Sequence, residues 1–161
     1  MGGVACVIGG LWLLGAAIDP IFQDLDMHAS YANYEEAIAD GAKTRGWIPD
    51  FVPESATNLR ESHNLDLNTQ WLTFQYDADD LSTMLETCDS ISRDEVDFPS
   101  RGATRLRPWW PGDLLGWPND TAGKYGFYAY DYTTHYSSGP ETDRCFLAID
   151  EATSTAWFWR P

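Results

Sequence analysis

Glu61, His63 and Asp66 form the densest group of side chains in this sequence that could carry out chemistry. On a β-strand, Glu61 and His63 point to the same face because side chains alternate, and Asp66 follows at a predicted turn. Carboxylates and an imidazole can hold a metal ion or transfer protons. At a hairpin, the same residue types also hydrogen-bond the backbone and fix the turn. The structural role is the more common one, so metal binding by these three residues is a secondary hypothesis, and no cofactor is expected.

A catalytic site would need a further group beside Glu61 and His63. His135, which lies in a hydroxyl-rich stretch, is the candidate. A metal-assisted or acid–base hydrolase centred on Glu61, His63 and His135 is therefore the alternative function. The sequence contains no Gly-x-Ser-x-Gly nucleophile motif. We therefore predict no catalytic residue and favour a non-enzymatic function.

Residues 101–117, named here the Arg/Trp segment, concentrate positive charge and tryptophan in an otherwise acidic chain. Arginine and tryptophan dominate protein-binding hot spots, and both also suit membrane headgroups. We expect a binding module whose partner is an envelope protein, a lipid headgroup or a glycan. In the alternative, the tryptophans cover the open face of a sheet and the arginines pair with acids. The predicted partner-binding residues are Arg101, Arg105, Arg107, Trp109, Trp110 and Trp117.

The composition argues against nucleic-acid binding. The 161 residues carry 25 acidic and ten basic side chains, for a formal net charge of −15. Such a surface repels phosphate backbones, since affinity for DNA or RNA comes largely from Lys and Arg. Hydrophobic residues make up 43% of the chain, which is enough for one compact domain.

The N-terminus predicts a membrane location. Residues 2–18 are uncharged and hydrophobic, and extension to residue 22 gives the roughly 20 residues that cross the hydrocarbon layer. We interpret residues 1–22 as a membrane anchor or uncleaved signal segment, since its glycines suit a membrane helix better than a buried soluble one. Lys and Arg are scarce on both flanks, so we expect a single-pass protein whose domain, residues 23–161, lies in the periplasm or outside the cell. A lipoprotein anchored through Cys6 is the minority alternative.

Residue patterns predict an α+β fold. Hydrophobic periodicity favours helices over residues 31–44 and 81–88. Alternation favours strands over residues 55–64, 71–76, 125–132, 144–149 and 155–159, with turns at 64–69 and 137–143. Residues 90–121 form a long irregular connection. This order predicts an antiparallel sheet of about five strands with two helices on one face, preceded by an N-terminal hydrophobic (transmembrane) helix.

Cys88 and Cys145 allow two interpretations. In an exported domain, two cysteines can pair, and closing so long a loop would stabilise the fold by about 4 kcal/mol in the chain-entropy model. The alternative is two buried free thiols. Because Cys88 ends a predicted helix and Cys145 begins a predicted strand, contact is geometrically reasonable, and the sequence leaves the choice open.

The stretch from Arg45 to Asn68 reads RGWIPDFVPESATNLRESHNLDLN. A Tyr/Glu/Ala-rich helix precedes its Gly-Trp-Ile-Pro, and a His, then Asp and Asn, then an aromatic strand follow, from Tyr34 to Phe74. This arrangement resembles small bacterial proteins with an N-terminal membrane segment, the family named for the YbbD head domain. The resemblance implies a bacterial envelope protein. It implies no established activity, so no catalytic residue is carried over.

Overall fold

The computed structural model describes residues 26–100, 107–116, 123–136 and 139–161. These residues form one antiparallel sheet of seven strands in the order β1-β2-β3-β7-β6-β5-β4. The strands are β1 (Met27–Asn33), β2 (Thr57–Asn64), β3 (Thr69–Gln75), β4 (Asp89–Ser90), β5 (Gly126–Tyr136), β6 (Gly139–Asp150) and β7 (Thr155–Arg160). The helices are α1 (Tyr34–Ala39) and α2 (Leu81–Met84), with 3-10 turns at Ala78–Asp80, Arg93–Glu95 and Gly112–Leu114.

The fold is mostly β, with seven strands rather than about five. The antiparallel sheet itself is as expected. The two additional strands, β1 and β4, lie at the two edges of the sheet. β4 has only two residues, too few for alternation to show in a sequence. Both short helices contribute buried side chains to the same hydrophobic cluster.

The helix predicted over residues 31–44 was wrong at both ends. Tyr31 belongs to β1, where it pairs with β2. Asn33 then caps α1, because its Oδ1 accepts from the backbone N–H of Glu36 at 2.9 Å. α1 stops before Gly41, whose φ of +78° is left-handed. The first three residues of the predicted helix therefore belong to the sheet, where they pair with β2.

The hairpin predicted around residues 64–69 is confirmed. β2 and β3 pair antiparallel from Thr57↔Gln75 to Asn64↔Thr69. The Oδ1 atom of Asn64 accepts from the backbone N–H groups of Asp66 at 3.1 Å and Leu67 at 3.0 Å. This side chain organises the turn in the way expected of Asn.

The C-terminal half contains the predicted strands, and they are longer than expected. β6 begins at Gly139 and pairs back along β5 from Tyr136↔Gly139 to Gly126↔Ile149. The broad turn predicted over residues 137–143 was therefore wrong, because residues 139–143 belong to the strand. α2 also ends at Met84 instead of residue 88.

Alternation along the strands builds two hydrophobic cores, one on each face of the sheet. The helix-face core lies beneath α1 and α2 and includes Leu59, Leu72, Phe74, Met84, Leu147 and Phe158. The second-face core includes Trp71, Trp110, Leu114, Phe127, Phe146 and Trp159. The irregular region after α2 supplies the cover of the second face, through Ile91, Val96, Phe98, Trp109, Trp110 and Leu114.

Cys88 and Cys145 are free thiols. Cys145 is buried in the helix-face core, and Cys88 packs against that core. Burial raises the pKa of Cys88 to about 11 and that of Cys145 to about 12. The free-thiol alternative is the one present in the structure, and both groups are protonated at neutral pH.

The predicted membrane segment, residues 1–22, and Cys6 with it lie outside the described residues. Within the part of the chain that the structure does describe, no helix has the length and hydropathy to cross a bilayer.

Two glycines with left-handed backbones allow a matched test of the fold. Gly46 has a φ of +83°, and a Cβ there would lie 2.7 Å from the Tyr132 hydroxyl, whereas at Gly41 it would meet the flexible Arg45 side chain at 3.2 Å. We expect Gly41→Ala to cost about 1–2 kcal/mol for the backbone alone. Gly46→Ala should cost at least about 1 kcal/mol more, since it also disrupts the hydrogen bond from Tyr132 to Gly46 O. Urea denaturation of both variants measures the difference, and equal losses would contradict the close packing at Gly46.

Candidate functional site

Glu61 and His63 form a buried pair on β2. Both lie on the helix face, as the alternation predicted, and His63 Nδ1 is 2.8 Å from Glu61 Oε1. Glu61 is 1% exposed and His63 is 4% exposed. Among the described residues, neither Glu61 Oε2 nor His63 Nε2 has a hydrogen-bond partner. A buried ionisable pair with open hydrogen-bonding positions is uncommon, because burying an unpaired polar group is unfavourable.

The loop after α1 covers this pair. The Trp47 ring stacks on the His63 ring with centroids 3.8 Å apart. The Arg45 guanidinium lies 4.1 Å from the centre of the Trp47 ring, and it also forms an ion pair with Asp40. This cation–π stack holds the imidazole in one orientation.

Three polar side chains form a row across the sheet at this level. His63 pairs with Gln70, and Gln70 pairs with Arg160, across β2, β3 and β7. Directly paired residues share a face, so the row lies on the helix face at the end of the sheet. Gln70 Nε2 donates to Trp47 O, and the Tyr132 hydroxyl donates to Gly46 O. These two bonds fasten the loop above the row.

A small pocket of about 80 Å³ lies between the row and the loop. Its lining includes Arg45, Trp47, His63, Gln70, Tyr132 and Arg160; we name it the row pocket. Arg160 is 8% exposed. Its Nη2 is paired with Asp143, but its buried Nε has no partner among the described residues. The pocket therefore adjoins two side chains with unmet hydrogen-bonding capacity.

Burial controls the charge of the Glu61–His63 pair. It raises the pKa of Glu61 to about 8, against the opposing charges of Arg107 and Arg45. Burial also lowers the pKa of His63, and the positive charge of Arg45 adds to the decrease. Both shifts favour the uncharged residues. Near neutral pH, the pair therefore holds one proton between the two side chains.

The structure does not bring Asp66 together with Glu61 and His63, the other two residues of the hypothetical metal site. Asp66 lies at the exposed hairpin turn, whereas Glu61 and His63 are buried. In residues 26–100, 107–116, 123–136 and 139–161, no three metal-ligating side chains come together. His135, the further group of the hydrolase alternative, pairs with Pro140 in β5, and its side chain lies outside the described part. The hydrolase alternative, which needs the His135 side chain, therefore stays a prediction.

The structure describes three of the six residues predicted to bind a partner. Arg107 is 4% exposed and lies inside the domain, where its Nη2 bonds Asp26 at 2.8 Å and its Nε bonds Ser62 Oγ at 3.0 Å. Trp110 is buried in the second-face core, and Trp109 packs partly buried beside it. Arg101, Arg105 and Trp117 lie outside the described residues. The positions of Arg107 and Trp110 agree with the alternative interpretation. In that interpretation, the arginines of the segment pair with acids and its tryptophans cover the sheet.

The first three strands, α1 and the loop that carries Trp47 form one continuous unit, from the Asp26 partner of Arg107 to the end of β3. Residues 26–75 match the YbbD head domain. This match confirms the resemblance seen between Tyr34 and Phe74. The YbbD head segment, as we name residues 26–75, contributes Arg45, Trp47, His63 and Gln70 to the row pocket. Searches of curated proteins and of solved structures found no match to the chain.

Sequence reasoning identified Glu61 and His63 but missed most of the pocket. Arg45 and Trp47 stood in the stretch that carried the family resemblance, and their link to His63 is a contact in space. Arg160 had no local signal, because it follows a hydrophobic strand at the end of the chain. Only the order of the strands brings it beside the YbbD head segment.

Proposed function

We propose that this chain is a membrane-attached protein of the bacterial envelope that binds a partner and is not an enzyme. The match to the YbbD head domain supports an envelope association, and the hydrophobic residues 1–22 would provide the attachment. The proposed binding surface is the exposed part of the Arg/Trp segment.

The observation that carries this proposal is the way the Arg/Trp segment is fastened to the YbbD head segment. Arg107 bonds Asp26 and Ser62 and lies 4.6 Å from the centre of the Trp71 ring. Trp110 packs edge-on against Trp71 at 4.7 Å. These contacts give the segment a rigid base, which lowers the entropic cost of binding.

Trp109 is the best anchor for a partner on this base. It is partly buried and packs edge-on against Trp110 with centroids 5.9 Å apart. A partly exposed tryptophan held by a rigid neighbour is typical of a binding hot spot. A protein partner is favoured over an anionic headgroup, because the net charge of −15 opposes approach to anionic lipids.

A photo-crosslinking experiment tests the proposal. Trp109 is replaced by p-benzoylphenylalanine in the full chain, which carries alkaline phosphatase at its C-terminus in a bacterial host. The phosphatase is active only after export, so its activity in the membrane fraction reports location. We expect activity in that fraction and a discrete light-dependent band, at least about tenfold stronger than from the control position.

The matched control places the same analogue at Ile38, which is 40% exposed on α1. α1 packs on the helix-face core, on the opposite side of the sheet from Trp109. Equal bands from both positions would contradict a specific surface at Trp109. If the membrane fraction shows no phosphatase activity, that result would contradict the envelope location.

A further inference from the structure

We propose that the row pocket binds a carboxylate group, with the N–H groups of His63 Nε2 and Arg160 Nε donating to its oxygens. The family match assigns no ligand to this pocket. The inference rests on the geometry of the folded domain, and it holds whether or not the Arg/Trp segment binds a partner.

Two residues that line one pocket, His63 and Arg160, each hold a buried nitrogen that has no hydrogen-bond partner among the described residues. His63 and Arg160 are each more than nine-tenths buried, and both line the cavity. Arg160 Nε is always a donor, since guanidinium does not lose its proton in proteins. Leaving a buried donor without a hydrogen bond is unfavourable, so a ligand that accepts from both donors gains binding free energy by removing that cost.

The register of the strands places these two donors on opposite sides of Gln70. Neighbouring strands are about 4.8 Å apart, so the backbones of His63 and Arg160 lie roughly 10 Å from each other. Their side chains rise from the same face beneath the loop that carries Trp47. In the proposed site, one oxygen of a bound carboxylate accepts from each of the two donors.

Size and charge favour a carboxylate over a larger anion. A volume of about 80 Å³ holds a carboxylate with one or two carbons, or two to three waters at about 30 Å³ each. Both arginines already have carboxylate partners, Arg45 with Asp40 and Arg160 with Asp143. Because these ion pairs offset most of the positive charge, a single negative charge fits better than a phosphate dianion.

The proton held by the Glu61–His63 pair decides whether His63 Nε2 donates a hydrogen bond to a ligand or accepts one. With one proton shared across the 2.8 Å contact, His63 Nε2 carries a hydrogen whether that proton sits on Glu61 Oε1 or on His63 Nδ1. Loss of the proton leaves Nδ1–H bonded to an ionised Glu61, and Nε2 becomes an acceptor. The charged or titratable groups that act on the pair are Asp26, His28, Tyr31, Arg45 and Arg107.

The sign of the pH dependence follows from this change. At neutral pH the pair is protonated and His63 Nε2 is a donor. Burial raises the pKa of Glu61 to about 8. Carboxylate affinity is therefore highest near pH 7 and falls as the pH rises through about 8. Binding of the anion in turn stabilises the protonated pair.

Nuclear magnetic resonance of the ¹⁵N-labelled full chain tests the proposal, with sodium acetate as the probe and sodium chloride at equal ionic strength as the reference. We expect the backbone amides of Gly46 and Gln70 to shift saturably with acetate, with a dissociation constant in the millimolar range. Raising the pH from about 7 to about 9 should weaken binding by up to about tenfold, because the protonated fraction of a group with a pKa of about 8 falls by that factor. Equal shifts with chloride, or shifts that do not saturate, overturn the proposal.

Three variants separate the roles of the side chains. His63→Phe retains a ring against Trp47 but has no donor, and Arg160→Lys retains the charge but has no Nε–H; each should weaken acetate binding at least about tenfold. Glu61→Gln removes the titrating carboxylate, so acetate affinity should become nearly independent of pH between about 7 and 9. Lys124→Ala, a change outside the pocket, should leave binding unchanged. Wild-type affinity in both His63→Phe and Arg160→Lys overturns the assignment of the two donors.

Discussion

Replacement of Arg107 by alanine is expected to lower the free energy of unfolding by about 3–5 kcal/mol. The Arg107 side chain is 4% exposed and its partner Asp26 is 12% exposed. Removal of the guanidinium leaves the Asp26 carboxylate nearly buried, and among the described residues its remaining side-chain hydrogen bond comes from Asn64 Nδ2 at 2.8 Å. Chemical denaturation with urea, followed by tryptophan fluorescence, measures the loss.

The control for this prediction is an exposed ion pair. The Asp50 side chain is 88% exposed and lies 3.4 Å from Lys43. Asp50→Asn should cost at most about 1 kcal/mol, since solvent screens exposed pairs. The double variant Asp26→Asn, Arg107→Met removes both charges and should recover part of the stability. If Arg107→Ala costs no more than Asp50→Asn, the Arg107–Asp26 pair does not fasten the Arg/Trp segment to the YbbD head segment.

The second large effect is expected at Trp159, the fully buried centre of the second-face core. Trp159→Ala should destabilise the domain by about 3–5 kcal/mol, through lost burial and the cavity that remains. The ring stacks on Phe146 at 5.6 Å and meets Trp110 edge-on at 5.7 Å. Its Nε1 donates to Asp97 O at 2.8 Å. The variant should also release residues 91–98, so the amide of Ile91, bonded to Phe127 O, should exchange hydrogen faster.

Two further variants calibrate this result. Trp159→Phe retains an aromatic ring but loses the hydrogen bond to Asp97, so its cost should lie well below that of alanine. Leu67→Ala removes a side chain that is 59% exposed and should change stability by less than about 0.5 kcal/mol. A loss below about 1.5 kcal/mol for Trp159→Ala would show that the second face of the sheet is not a tightly packed core.

Elements that depend on neighbours in the sequence were predictable. Alternation placed Glu61 and His63 on one face of β2, and that follows from the two-residue period of a strand. The turn was marked by Asn64 and Asn68, residues that hydrogen-bond their own backbone and tolerate left-handed angles. The resemblance to the YbbD head domain also rested on contiguous residues.

Elements that depend on pairing were not predictable in the same way. The helix at 31–44 was predicted from the spacing of Tyr34, Ala37, Ile38 and Ala42, yet residues 31–33 pair with β2 as part of an edge strand. Hydrogen bonds to a neighbouring strand decide between the two conformations, and those bonds come from residues distant in the chain. The same holds for residues 139–143, which continue β6 because β5 pairs with them.

By itself, the sequence determined the acidic charge, the antiparallel hairpin, the shared face of Glu61 and His63, and the family resemblance, because each depends on composition or on short spacing. Only the tertiary structure decided that Arg107 lies inside the domain against Asp26, and that Arg160 lies beside Gln70 and His63. The physical reason is that burial and strand order arise from the packing of the whole chain. An arginine that the sequence suggests is on the surface becomes buried when a carboxylate distant in the chain, here Asp26, pairs with it.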